Sequence, residues 1–194
     1  MSNESRDLKP TRNKRTLWLV AVVCIAPFIG SFLAYHFYAP DARVNYGTLL
    51  ETRPVADAQL KLADGKPFSF SSLTGKWVFV TVDEVRCDAY CDKKLWQIRQ
   101  IRKTQGKYPE RIERVWLMTG QGQPDKRLLD EYAGTWMAFA TAEMLKQFPR
   151  EGQVSDHIYL LDPLGNLVLR YPRDANPTRI RKDLERLLKV SRMG

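Results

Sequence analysis

A run of 22 residues, 17–38 (LWLVAVVCIAPFIGSFLAYHFY), contains no Asp, Glu, Lys or Arg and dominates what this chain can fold into. At about 1.5 Å of rise per residue, a helix of this length crosses a hydrocarbon core of about 30 Å. Trp18, Tyr35 and Tyr38 fall near its ends, where amphipathic rings sit at a membrane interface. Pro27 and Gly30 are compatible with a membrane helix. Cys24 reads as a small apolar residue of the span, and His36 as an ordinary residue of its outer interface. Ahead of the run, Arg6, Lys9, Arg12, Lys14 and Arg15 outnumber Glu4 and Asp7. The positive-inside rule therefore holds residues 1–16 in the cytoplasm as a basic arm. A cleaved signal peptide would have an apolar region of about 7–15 residues ending in a small-residue site. Here the run closes on LAYHFYAPDA, so an uncleaved anchor is expected. The layout suits a single-pass protein of a bacterial inner membrane, with the residues after the span in the periplasm.

Hydrophobic residues make up 44% of the 194 and aromatic residues 11%, enough to bury a core and to exclude general disorder. No Gly-rich phosphate loop is present, which argues against a nucleotide-binding core. No period of 20–50 residues points to a repeat array, and three cysteines are too few for a disulfide scaffold. The net charge is +9. With the C-terminal part outside the cytoplasm, nucleic acid is disfavoured as a partner. The excess charge reads as a solvated face, or as attraction to anionic lipid or an acidic protein surface.

Residues 39–56 are polar, contain Pro40, Gly47 and Pro54, and are expected to form a stalk. Residues 57–194 are expected to fold as one domain. Its opening, ADAQLKLADGKPFSF, alternates around Asp64-Gly65 as a hairpin does. WVFVTV (77–82) and RVWLM (114–118) read as strands buried on both faces. Helices are expected over about 92–104, 124–132 and 141–148, with a short apolar strand over 136–140. Residues 157–161 and 167–170 flank DPLGN as a second hairpin, and 178–190 carries one apolar stripe of Ile180, Leu184, Leu187 and Leu188. Strands alternating with helices predict an α/β layered fold, and this order of elements is that of a thioredoxin-like domain. Trp77, Trp96, Trp116 and Trp136 are read as core or rim residues.

The main chemical signal is Cys87-Asp88-Ala89-Tyr90-Cys91, placed after a buried strand and at the start of a helix. Residues i and i+4 share a helix face, so two sulfurs can meet there. A helix N-terminus favours a thiolate, and Arg86, Lys93 and Lys94 add positive charge, against Asp88 and Asp92. Three readings stand open: a soft-metal site suited to Cu(I), thiol–disulfide exchange, and a structural disulfide permitted outside the cytoplasm. Too few ligands exist for a closed zinc site. His157 is the sole histidine after the span and a third candidate ligand.

LKLADGKPFSFSSLTGKWVFVTV, the Cys87–Cys91 pair, VWLMT and DHIYLLDPLGNLVLRYP, taken with the N-terminal anchor, resemble the Sco/SenC family of membrane-anchored thioredoxin-like proteins over most of residues 55–190. That resemblance implies a copper chaperone or thiol reductase for the dinuclear copper centre of cytochrome c oxidase. Its partners would be the copper-binding subunit or other assembly factors. It carries the metal ligands onto Cys87, Cys91 and His157, with copper as the metal. The sequence departs from the family pattern where Asp88 and Asp92 replace prolines and where Thr119-Gly120 replaces an acidic residue. Counted from the hairpin, Val154 rather than His157 takes the histidine position. A thiol–disulfide oxidoreductase without metal, and an assembly factor with a structural cysteine pair, are the alternatives.

Overall fold

The computed structural model describes residues 14–37, 45–56 and 58–191, in two units, 1–43 and 44–194. In the first unit a single helix, α1 (Lys14–Phe37), carries the apolar run. It is long and apolar enough to cross a membrane. Its large side chains, Trp18, Phe28 and Phe32 among them, point outward unburied. Pro27 lies inside α1, where its missing N–H leaves the Val23 carbonyl without its helical donor. α1 begins three residues before the expected span and takes in Lys14, Arg15 and Thr16 of the arm. The remainder of the arm, Tyr38 and residues 39–44 of the expected stalk lie outside the described residues.

In the second unit the strands are β1 (Thr48–Pro54), β2 (Leu60–Leu62), β3 (Pro67–Phe68), β4 (Trp77–Glu84), β5 (Ile112–Thr119), β6 (Trp136–Phe139), β7 (Ile158–Leu161) and β8 (Asn166–Tyr171). They form one sheet in the order β1-β8-β7-β4-β5-β6-β2-β3. The central β4, β5 and β6 run parallel, β7 and β8 return antiparallel on one side, and the β2–β3 hairpin closes the other. Helices α2 (Ala89–Lys103), α3 (Lys126–Glu131), α4 (Ala142–Leu145) and α5 (Pro177–Val190) fill the connections and the C-terminal end.

Period-two alternation along β4 builds both layers. Trp77 and Phe79 join the cluster that takes in Leu95, Ile98 and Ile101 of α2 and Ile180, Leu184 and Leu188 of α5. Val78, Val80 and Val82 join Leu60, Phe68, Met144 and Phe148 on the opposite face. Every β4 residue from Trp77 to Asp83 is buried, as a central strand covered on both faces requires.

The expected stalk is corrected at its second half. Residues 48–54 pair with β8 as edge strand β1, from Thr48 opposite Arg170 to Pro54 opposite Asn166. An edge strand exposed along nearly its whole length has no apolar alternation to betray it, and Pro54 sits where an edge tolerates it. Just before β1, the Tyr46 and Gly47 amides donate to Asp183 Oδ2 of α5 at 2.8 and 2.9 Å. Gly47 is required there, because a Cβ would come within 2.8 Å of the Tyr171 ring. Asp183→Ala removes the acceptor of both amides and is expected to cost about 2–4 kcal/mol. Amide hydrogen exchange should quicken across 48–54 and stay slow in β4 and β5; unchanged protection of 48–54 would contradict this anchoring.

Candidate functional site

The site forms where β4 ends and α2 begins. Cys87 adopts a left-handed backbone, φ +44°, and its amide donates to the Glu84 carbonyl at 2.9 Å. A non-glycine residue held there carries conformational strain. Asp88 follows as the N-cap of α2, its carboxylate accepting from the Cys91 amide at 2.8 Å. Helix α2 therefore starts at Ala89, three residues earlier than expected. Cys91 lies in its first turn and Cys87 outside it. The two sulfurs form a disulfide with a Cα–Cα separation of 5.2 Å. They meet across a helix cap rather than on one helical face. Cys91 is 1% exposed, whereas Cys87 is half-buried, so attack from outside reaches Cys87.

Behind the disulfide lies a buried ion pair. Alternation along β4 turns Asp83 toward α2, where Lys94 Nζ meets its carboxylate at 2.8 Å, and the two residues are 6% and 1% exposed. Lys94 also donates to the Ser155 carbonyl, while Asp83 Oδ2 has no hydrogen-bond partner among the described residues. Burial outweighs their mutual attraction. It pushes the Asp83 carboxyl up to about 6, with Lys94 opposing and Asp88 assisting, and pulls the Lys94 ammonium down. Asp83, Glu84, Arg86, Cys87, Asp88, Cys91 and Ser155 line one cleft of about 380 Å³.

Tyr90 fastens the first turn of α2 to two loops. Its hydroxyl donates to the Asp156 carbonyl and accepts from the Asp174 amide, both at 3.1 Å. Its ring lies 5.0 Å from Lys94 and 4.8 Å from Arg173. The expected basic cluster is only partly at the surface. Arg86 is exposed and Lys93 pairs with Asp174 at 2.6 Å, but Lys94 is turned inward. Asp92 is drawn away from the sulfurs, accepting from the Tyr132 hydroxyl and approached by Arg127 at 3.5 Å.

His157 does not line the cleft that holds the cysteines. It is 6% exposed, with Nδ1 3.1 Å from the Tyr171 carbonyl oxygen and Nε2 2.9 Å from the Glu151 carbonyl oxygen. Both ring nitrogens thus face backbone acceptors. Among the described residues no three His, Cys, Asp or Glu side chains converge as a metal site. Asp83 went unnoticed in the sequence, and Lys94 was read only as positive charge beside the cysteines, although it falls in the buried stripe with Cys91, Leu95 and Ile98.

Because burial holds the Asp83 carboxyl above its unfolded value, its contribution to stability is present below pH about 4 and is lost as pH rises through about 6. Lys94→Met at pH 7.5 strands a buried carboxylate and is expected to cost about 3–5 kcal/mol in denaturant unfolding. At pH 4, with Asp83 protonated, the cost should be much smaller; a loss independent of pH would contradict the pairing.

The family model for the transmembrane-like, thioredoxin-like, C-terminal domain matches residues 77–191. No curated protein sequence matches the chain. Among solved structures, yeast Sco1 with copper bound is 18% identical, with a TM-score of 0.61 over 73% of this chain and 96% of its own. A thiol:disulfide interchange protein of the thioredoxin family from Chlorobium tepidum is 22% identical, with a TM-score of 0.52 over 72% and 96%. BsSco, described as a member of the Sco family of cytochrome c oxidase assembly proteins with a disulfide switch, is 13% identical, with a TM-score of 0.55 over 75% and 98%. At these identities the shared property is the fold, an α/β thioredoxin-like domain. By the match over 77–191, more than half of its length, the chain belongs to the family of transmembrane-like, thioredoxin-like C-terminal domains.

Proposed function

We propose that the chain is a membrane-tethered, Sco-like thiol–disulfide protein in which Cys87 attacks and Cys91 resolves. The observation that carries this reading is the asymmetry of the pair. One sulfur is accessible, and the other is buried at the first turn of α2, in the cleft that Asp83 lines. In the reduced form, the Cys87 thiolate attacks an acceptor disulfide and expels one acceptor thiolate, leaving a mixed disulfide. Cys91 then loses its proton and attacks Cys87 Sγ. The second acceptor thiolate leaves and the Cys87–Cys91 disulfide closes. Two electrons have passed to the acceptor, and a dithiol reductant outside the cytoplasm restores the pair. Asp83, with its raised carboxyl, is the buried group suited to take the Cys91 proton.

The acceptor is the copper-binding subunit of cytochrome c oxidase, whose dinuclear site needs reduced thiols, or another assembly factor. On this reading the anchor crosses a bacterial inner membrane, with residues 1–16 cytoplasmic and the domain periplasmic. Tethering confines the domain near a membrane acceptor and raises its effective concentration. The copper bound to yeast Sco1 favours a second reading, with copper as cargo: Cys87 and Cys91, when reduced, hold Cu(I) as two thiolates. His157 would join them only by releasing the Tyr171 and Glu151 carbonyls.

Expressed as the full chain, Cys91→Ser should trap an acceptor through a reducible bond at Cys87, and Cys87→Ser should trap none. Equal capture by both variants, or by neither, would overturn the exchange mechanism. A Cu(I) titration of the reduced chain tests the second reading. One equivalent lost in Cys87→Ser and retained in His157→Ala is expected; loss in His157→Ala would place the histidine in the site.

A further inference from the structure

At the far end of α2, twelve residues and about 18 Å along the helix from Cys91, the structure carries a second polar cavity. It encloses about 200 Å³ and is lined by Arg99, Arg102 and Lys103 of α2, Arg114 of β5, and Asp130 and Glu131 at the end of α3. Arg114 is its anomaly. Alternation along β5 turns Arg114 to the same face as Trp116 and Met118, under α2, and leaves it 3% exposed. Its Nη2 donates to the Ala133 carbonyl at 3.2 Å, but Nε and Nη1 have no hydrogen-bond partner, and no carboxylate pairs with it among the described residues. Buried guanidinium groups are ordinarily paired or fully hydrogen-bonded.

Local architecture accounts for part of this cluster. Arg102 and Lys103 stand in the last turn of α2, where cations complement the helix dipole, and Arg102 Nε donates to the Ile112 carbonyl at 2.6 Å. Glu131 is engaged by Arg127 at 2.9 Å, outside the cavity. Neither fact supplies an acceptor to Arg114. Burial, with Arg102 and Arg99 assisting and Glu113 opposing, pulls its guanidinium down to about 10.

We propose that this cavity binds a phosphate group, whose oxygens accept from the Arg114 guanidinium and whose charge is held by Arg99, Arg102 and Lys103. Guanidinium forks match oxyanion geometry. A volume below the roughly 300–1,000 Å³ of sites for drug-sized ligands restricts the occupant to a compact group. Four cations against two carboxylates, one of them paired elsewhere, favour an ion of more than one charge. The phosphate belongs either to a small soluble anion or to the headgroup of an anionic lipid, and one readout separates the two. The site is independent of the cysteine chemistry.

The test is phenylglyoxal modification of the full chain, read residue by residue by mass spectrometry. In uncharged detergent micelles, pyrophosphate should slow modification of Arg99 at least about fivefold relative to chloride of equal ionic strength, with no change at Arg179. That result identifies a soluble anion. If protection of Arg99 appears only in nanodiscs containing phosphatidylglycerol, and not in phosphatidylcholine alone, the ligand is a lipid headgroup. Arg114→Met should abolish protection and Arg114→Lys should weaken it, each with an unchanged far-ultraviolet spectrum. Should Arg114→Met fail to fold, Arg114→Lys carries the comparison. Absence of protection under both conditions, equal protection of Arg179, or full protection in a folded Arg114 variant would overturn the site.

Discussion

The contact on which the rest of the site depends is the buried ion pair between Asp83 and Lys94. Removing two charges from water is costly, and their attraction offsets that cost only when geometry and further hydrogen bonds are good. Here the balance stays unfavourable, with both groups displaced toward their neutral forms. What the pair provides is position. It joins the end of the central strand to the second turn of α2, and the Lys94 donation to Ser155 draws in the turn that precedes β7. Tyr90 fastens the same helix end to Asp156 and Asp174. With α2 held on three sides, the four residues between β4 and α2 have little freedom left.

That confinement explains the cysteines. The chain must leave a buried strand and enter a helix within a few residues, and it does so through a left-handed Cys87 and an Asp88 cap. The turn sets one sulfur at the mouth of the cleft and the other against the core. The amides of the first helical turn favour a thiolate at this position, while the Asp88 carboxylate opposes one. Arg86 is the exposed cation at the cleft, and Lys94 acts from below through Asp83.

Much of the fold was legible because its signals are local. The unbroken WVFVTV run, the Asp64-Gly65 and Asp162–Asn166 turns and the Ile180–Leu184–Leu188 stripe each imply one element, and each is present. Strand β1 was not legible, since an exposed edge strand exists only by virtue of the β8 edge it pairs with. The site divides in the same way. The Cys87–Cys91 pairing follows from proximity in the chain. The Asp83–Lys94 contact needs the β4 alternation and the α2 stripe to be read together. His157 became a candidate ligand through the cysteine pair and the family resemblance, and its two ring nitrogens face carbonyls that approach from Glu151 and from Tyr171, at the end of β8. No sequence pattern announces either.

The central claim is that the Cys87–Cys91 bond cycles while the domain stays folded. The most direct measurement is a redox titration of the full chain in detergent against dithiothreitol or glutathione couples, following thiol content alongside far-ultraviolet circular dichroism. A cycling bond gives a reversible two-electron transition at a potential above the roughly −300 mV below which structural disulfides lie, with the circular dichroism unchanged. A bond that yields only when the domain unfolds would contradict it and leave the pair a staple.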